Sequence, residues 1–185
     1  MPDGKVSAGG EPASPNCMQV IAAATARLIS VPEGHRIAAL AFEGWDTHAN
    51  EGGATGRLAN LLSGLDRFFA AFARGMITFW ANTAILVVTE FRHTARVNGT
   101  FGTDHGVSTA PHLVGGAVRG GRVIADWPGL KEAQFYEQRD LRPTTDVRAV
   151  CKGVVVNLFG ASGAVAVQCI FPGTHSVAPI KGLIG

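Results

Sequence analysis

One periodic stretch constrains this chain more than any other. Between Gly52 and Trp80, the residues Leu58, Leu61, Leu62, Leu65, Phe68, Phe69, Phe72 and Met76 recur at three- and four-residue steps. That spacing gathers them on one face of a long helix, which needs a second apolar surface to cover it. Met18 to Ile29 is Ala-rich with apolar spacing and reads as another helix, ended by Pro32-Glu33-Gly34. Hydrophobic residues are 46% of the 185 residues, enough for a core of ordinary domain size.

Short apolar runs flank the long helix. Arg36 to Phe42 reads as a short buried strand, and Thr83 to Thr89 as a β-branched strand of the kind buried on both faces. Strand, helix, strand predicts a right-handed parallel crossover. His112 to Gly116 and Arg122 to Asp126 read as short strand-like pieces, and Asp126-Trp127-Pro128-Gly129 as a turn. Thr144-Thr145-Asp146 reads as a helix start, with a hydroxyl cap and an acid in the first turn. Its apolar stripe is Val147, Val150, Cys151, Val154, Val155 and Leu158, and Ala164 to Phe171 reads as a last edge strand. The expected fold class is α/β, a mainly parallel sheet flanked by helices. Two strong strands are few for such a sheet, which points to strands supplied from outside this chain.

Residues 1–16, rich in Pro, Gly, Ser and charge, read as a flexible leader before a domain over 17–185. A net charge of +2 argues against a nucleic-acid or membrane surface. No apolar run reaches the roughly 18–20 residues that span a bilayer. Cys17, Cys151 and Cys169 fit neither a disulfide framework nor a zinc knuckle.

Three polar clusters carry the chemistry. Gly44-Trp45-Asp46-Thr47-His48 follows the first strand-like run, and Thr89-Glu90-Phe91-Arg92-His93-Thr94 follows the second. Gly102-Thr103-Asp104-His105-Gly106 lies in a Gly-rich loop. If the two runs are neighbouring parallel strands, their ends bring carboxylates and imidazoles to one rim, where open α/β sheets place ligands. Carboxylate with imidazole suits zinc or manganese. Asp46 and His48, two apart on an extended segment, point the same way and can share an ion; the plainer reading is a capped turn. Glu90 is a ligand, a base, or an ion-pair partner of Arg92 or Arg96. Asp104 and His105 form a metal or catalytic loop, or a solvated turn. No Gly-x-Ser-x-Gly elbow, phosphate loop, dinucleotide fingerprint or marked nucleophile occurs.

Taken in order, these clusters with Asp126-Trp127-Pro128-Gly129-Leu130, Arg139-Asp140-Leu141, Thr144-Thr145-Asp146 and Phe171-Pro172-Gly173 resemble the bacterial domain-of-unknown-function family 1501. The resemblance runs from about Met18 to the end and covers the family's C-terminal half. It implies an alkaline-phosphatase-like α/β sandwich that is incomplete at its N-terminus, with a first half missing from this chain. It also implies two divalent metals held by Asp and His, a Ser or Thr nucleophile, and periplasmic location through a twin-arginine signal. Asp46, His48, Glu90 and His105 stand where that wider group has metal ligands. The family's Glu-Phe-Gly-Arg-Thr reads here Glu90-Phe91-Arg92-His93-Thr94, which places a side chain beside the expected site.

Two functions follow as expectations. The first is a metal-dependent hydrolase of phosphate or sulfate esters, weakly active or inactive without a nucleophile. In it Asp46, His48, Glu90, Asp104 and His105 bind the ion, and Arg92 or Arg96 holds a small anionic substrate. The second is a non-catalytic exported protein whose rim binds metal or a partner. A third expectation is a truncated product with no independent function.

Overall fold

The computed structural model describes residues 14–90 and 92–185. The body of the expected leader, residues 1–13, lies outside the described residues, and Pro15 and Asn16 already belong to the first helix. The chain forms two compact units. The first runs to Phe79 and takes in Val97–Asp104; the second comprises Trp80–Arg96 and His105–Gly185.

The first unit is a pair of helices, α1 (Pro15–Ile29) and α2 (Arg57–Gly75). Ser14 starts α1: its hydroxyl accepts from the Cys17 N–H at 3.2 Å, and Pro15 supplies a preset first turn. Small residues face one another where the helices meet. A Cβ on Gly64 would sit 2.9 Å from Met18 Sδ, and one on Gly75 would sit 2.5 Å from Ala26 Cβ. Met18, Ala22 and Ala26 are accordingly sealed from solvent. Leu61, Phe68, Phe72 and Met76 of the periodic stretch are buried as its spacing predicts, whereas Leu62 is exposed. Phe68 touches the rings of Phe42, Phe69 and Phe72 at centroid distances of 5.5–5.8 Å. Burying side chains such as Phe68 and Phe72 contributes about 1.5–3 kcal/mol each.

The second unit holds a two-stranded antiparallel sheet, β1 (Ile85–Val87) and β2 (His112–Val114), with Leu86 opposite Leu113. Gly115 and Gly116 let the chain after β2 lie against the Thr83 and Trp80 carbonyls, positions a Cβ would occupy. Helix α3 (Val147–Phe159) is capped by Asp146, whose Oδ1 accepts from the Arg148 N–H at 2.8 Å, and it ends at left-handed Gly160. Its buried residues are Ala149, Lys152 and Gly153. Lys152 Nζ, sealed from water, donates to the Thr174 and Val177 carbonyls at 2.6 and 2.8 Å. A short turn, α4 (Gly163–Val165), leads into a π-helical turn at Ala166–Ile170.

The expected mainly parallel sheet flanked by helices is therefore corrected: among the described residues, the sheet is one short antiparallel pair. Arg36 to Phe42 enters no strand, and Ile37 is 73% exposed. Its alanines offer little area to bury, and only its last residue, Phe42, joins the aromatic cluster at Phe68. Thr83–Thr89 shortens to three paired residues, whose neighbour is the later His112–Val114 rather than a preceding parallel strand. Arg122 to Asp126 is not a strand, and Val123 is almost fully exposed. The expected edge strand at Ala164–Phe171 is helical, because the Ser162 hydroxyl accepts from the Val165 N–H at 3.2 Å and starts a turn. In α3 the cap is the acid itself, and the buried side falls on Ala149, Lys152 and Gly153 because Gly153 admits the Ile180 carbonyl. No helix among the described residues is long and apolar enough to cross a membrane.

The Arg148 guanidinium and backbone N–H hold the Asp146 carboxyl at about 2, below its usual 3.8. A carboxyl lowered in the folded state stabilises above its unfolded value, and that contribution is lost as pH falls through the folded one. Asp146→Ala is expected to cost about 1 kcal/mol at neutral pH, mostly as a lost cap since the ion pair is solvated. Urea unfolding of both proteins checks this: the gap between them should narrow as pH drops from about 4 towards 2.

Candidate metal centre

The centre is built within the first unit from residues 43–48 and a loop laid beside them. Residues 43–48 enter no helix or strand, and Gly44 turns the chain with a φ of 91°. Thr47 points inward and is fully buried, while Asp46 and His48 share the outer side. The loop Val97–Asp104 is stitched alongside by main-chain bonds, Thr103 N–H to Thr47 O at 3.3 Å, Asn50 N–H to Thr100 O at 3.0 Å and Glu51 N–H to Phe101 O at 2.9 Å. Asn50 and Phe101 sit at φ of 49° and 58°, left-handed values that non-glycine residues adopt only where surroundings hold them.

Asn98 organises this loop. Its amide nitrogen donates to His48 O and to Asp104 Oδ1, each at 2.9 Å. Its amide oxygen accepts from the Thr100 N–H, the Thr100 hydroxyl and the Gly102 N–H at 2.9–3.0 Å. Gly102 is required for the approach, since a Cβ there would run into the Thr47 and His48 carbonyls.

These contacts settle the orientation of the His48 ring. Nδ1 lies 2.9 Å from Thr103 O, and a carbonyl only accepts, so Nδ1 carries a proton. Nε2 lies 2.8 Å from Asp46 Oδ1, and Asp104 Oδ1 stands 3.7 Å from Nδ1. The His48, Asp46 and Asp104 side chains are 44%, 41% and 53% exposed, so water and ions reach them. Glu51 adds a third carboxylate, anchored by the Thr103 hydroxyl at 2.8 Å. Asp46 and His48 belong to a His/Asp cluster of a kind that could hold a metal ion.

Of the residues singled out in the sequence, Asp46, His48 and Asp104 meet in the first unit. His105, Glu90, Arg92 and Arg96 belong to the second. His105 is exposed and forms an antiparallel bridge with His93. Glu90 is exposed beyond β1 and stands outside the His/Asp cluster. Arg92 donates to Val107 O at 3.3 Å. Arg96 donates to Glu132 Oε1 at 2.9 Å and lies over the Phe135 ring. Asn98, Thr103 and Glu51 escaped the sequence reading. The Asn98-Gly99 pair is a turn signal that could have marked the first of them.

The family described as "Protein of unknown function (DUF1501)" matches residues 11–168, and the chain belongs to that family. No curated protein and no solved structure matches it.

Two substitutions test this construction. Asn98→Ala removes both donors and the shared acceptor and is expected to cost about 2–3 kcal/mol. Gly102→Ala should do at least as much harm, by driving the loop away from the Asp46–His48 segment. Urea unfolding reads the stability. Amide exchange reads the loop, where the Gly102 and Thr103 N–H groups should lose protection before those of α2.

Proposed function

We propose that this DUF1501 protein binds a divalent cation, zinc or manganese, through Asp46 Oδ1 and His48 Nε2. The observation that carries the reading is the 2.9 Å bond from His48 Nδ1–H to the Thr103 carbonyl. Metal-ligating histidines characteristically spend one ring N–H on a backbone carbonyl, which fixes the tautomer and presents the other nitrogen to the ion. Here that other nitrogen is directed at a carboxylate 2.8 Å away. A cation taken up at that nitrogen would sit beside the Asp46 carboxylate.

The activity we propose for this centre is hydrolysis of small anionic esters, phosphates or sulfates. Half-exposed ligands and a small donor set leave coordination positions for water and substrate, as catalytic centres require. A bound cation supplies Lewis acidity and positive charge to the ester oxygens. Asp46 and His48 hold it, while Asn98 and Thr103 keep the imidazole in register. A non-catalytic metal-binding role is the competing reading.

Calorimetric titration of the metal-free chain with zinc and with manganese is expected to show one saturable site. His48→Ala and Asp46→Asn should each weaken it by about 100-fold, since loss of even an outer-shell partner costs 10–100-fold. Affinity should fall as pH is lowered from neutral. An unaltered zinc isotherm in His48→Ala would refute the site. A zinc-loaded chain that turns over neither an aryl phosphate nor an aryl sulfate would refute the hydrolase and leave the metal-binding protein.

A further inference from the structure

The second unit contains an open cavity of about 380 Å3 lined by Thr89, His93, Ser108, Thr109, Trp127 and Leu130, with small apolar neighbours. Its size falls within the range of ligand pockets. Trp127 is 61% exposed and Leu130 60% exposed, so both offer apolar surface to a ligand in the cavity. Neither is at the end of a loose loop. The turn at Gly129 has a φ of 89°, and a Cβ there would collide with the Gln134 side chain. Gln134 Oε1 in turn accepts from the Lys131 N–H at 2.8 Å. The arm is braced from outside by Arg96, which holds Glu132 at 2.9 Å and covers Phe135. These contacts hold residues 129–135, the segment that follows Trp127.

We propose that this cavity binds the ring of a neutral sugar, a pyranose, with Trp127 as its stacking plate. A pyranose has two kinds of surface. Its C–H faces are apolar and lie flat on an aromatic ring, while its rim carries hydroxyls that both donate and accept. The cavity presents the matching pair: an indole and a leucine on one hand, and three hydroxyls and an imidazole on the other. An anionic ligand fits less well, because the lining side chains include no lysine or arginine. A bare aromatic ligand would use the indole and strand the hydroxyls.

The intact chain can be titrated with glucose, galactose, N-acetylglucosamine and cellobiose while tryptophan emission is followed. At least one sugar is expected to produce a saturable change. Followed by saturation-transfer NMR, which does not need the Trp127 fluorophore, Trp127→Ala should abolish binding while leaving the circular dichroism spectrum unaltered, and Trp127→Phe should retain binding about tenfold weaker. Trp45 and Trp80 remain in both variants as reporters of folding. Saturation-transfer NMR on the unsubstituted chain guards against a misfolded variant: saturation should reach the ring C–H protons of the bound sugar. No saturable response to any of the four sugars would overturn the proposal. So would a response preserved in Trp127→Ala, or binding of indole or phenol that no sugar displaces.

Discussion

The arrangement around His48 rests on one carboxamide. Asn98 spends both amide hydrogens and loads its oxygen three times over, and in doing so connects the two ends of its own loop to the segment carrying Asp46 and His48. An ionised carboxylate or an ammonium of similar size could not replace it, because the first offers only acceptors and the second only donors. The left-handed backbone at Asn50 and Phe101 is tolerable because this bonding holds the loop shut on both sides.

Electrostatics then give the site its character. Asp46 and Asp104 place two carboxylates about a single imidazole within the same unit. Their mutual repulsion is unfavourable until a positive charge arrives, whether a proton on the ring or a cation. Because all of them remain reachable by water, no burial penalty stands against the exchange of one for the other. The second unit handles charge differently. Lys152 is sealed in the interior and is met there by two carbonyls that fix the Thr174–Val177 stretch to α3.

What could be read from the sequence was what local chemistry decides. The apolar period of α2 and the presence of α3 follow from side-chain spacing and capping groups within a few residues. Asp46 and His48 stand two apart in the chain, and their contact needs no distant segment to form. What stayed illegible was tertiary. An apolar run such as Ile37–Phe42 does not say whether a partner strand exists, and the run at Ala164–Phe171 does not say that Ser162 will turn it into helix. The role of Asn98 was hidden because its partners, His48 and Asp104, are brought together only by the folded loop. The ion pair of Arg96 was equally hidden, since Glu132 lies 36 residues further along.

The stretch from Ile37 to Phe42 has an implication for behaviour at high concentration. It is six uncharged residues outside any helix or strand, with Ile37 and Leu40 turned to solvent and, among the described residues, no strand paired with it. Such a hexapeptide is the kind of segment from which stacked cross-strand assemblies nucleate. Arg36 stands immediately before it and Glu43 immediately after. Two charges of opposite sign at the ends make a parallel, in-register stack bring like beside like, while an antiparallel pair would match them. The flanking residues therefore act as gatekeepers against one geometry of self-association and leave the other open.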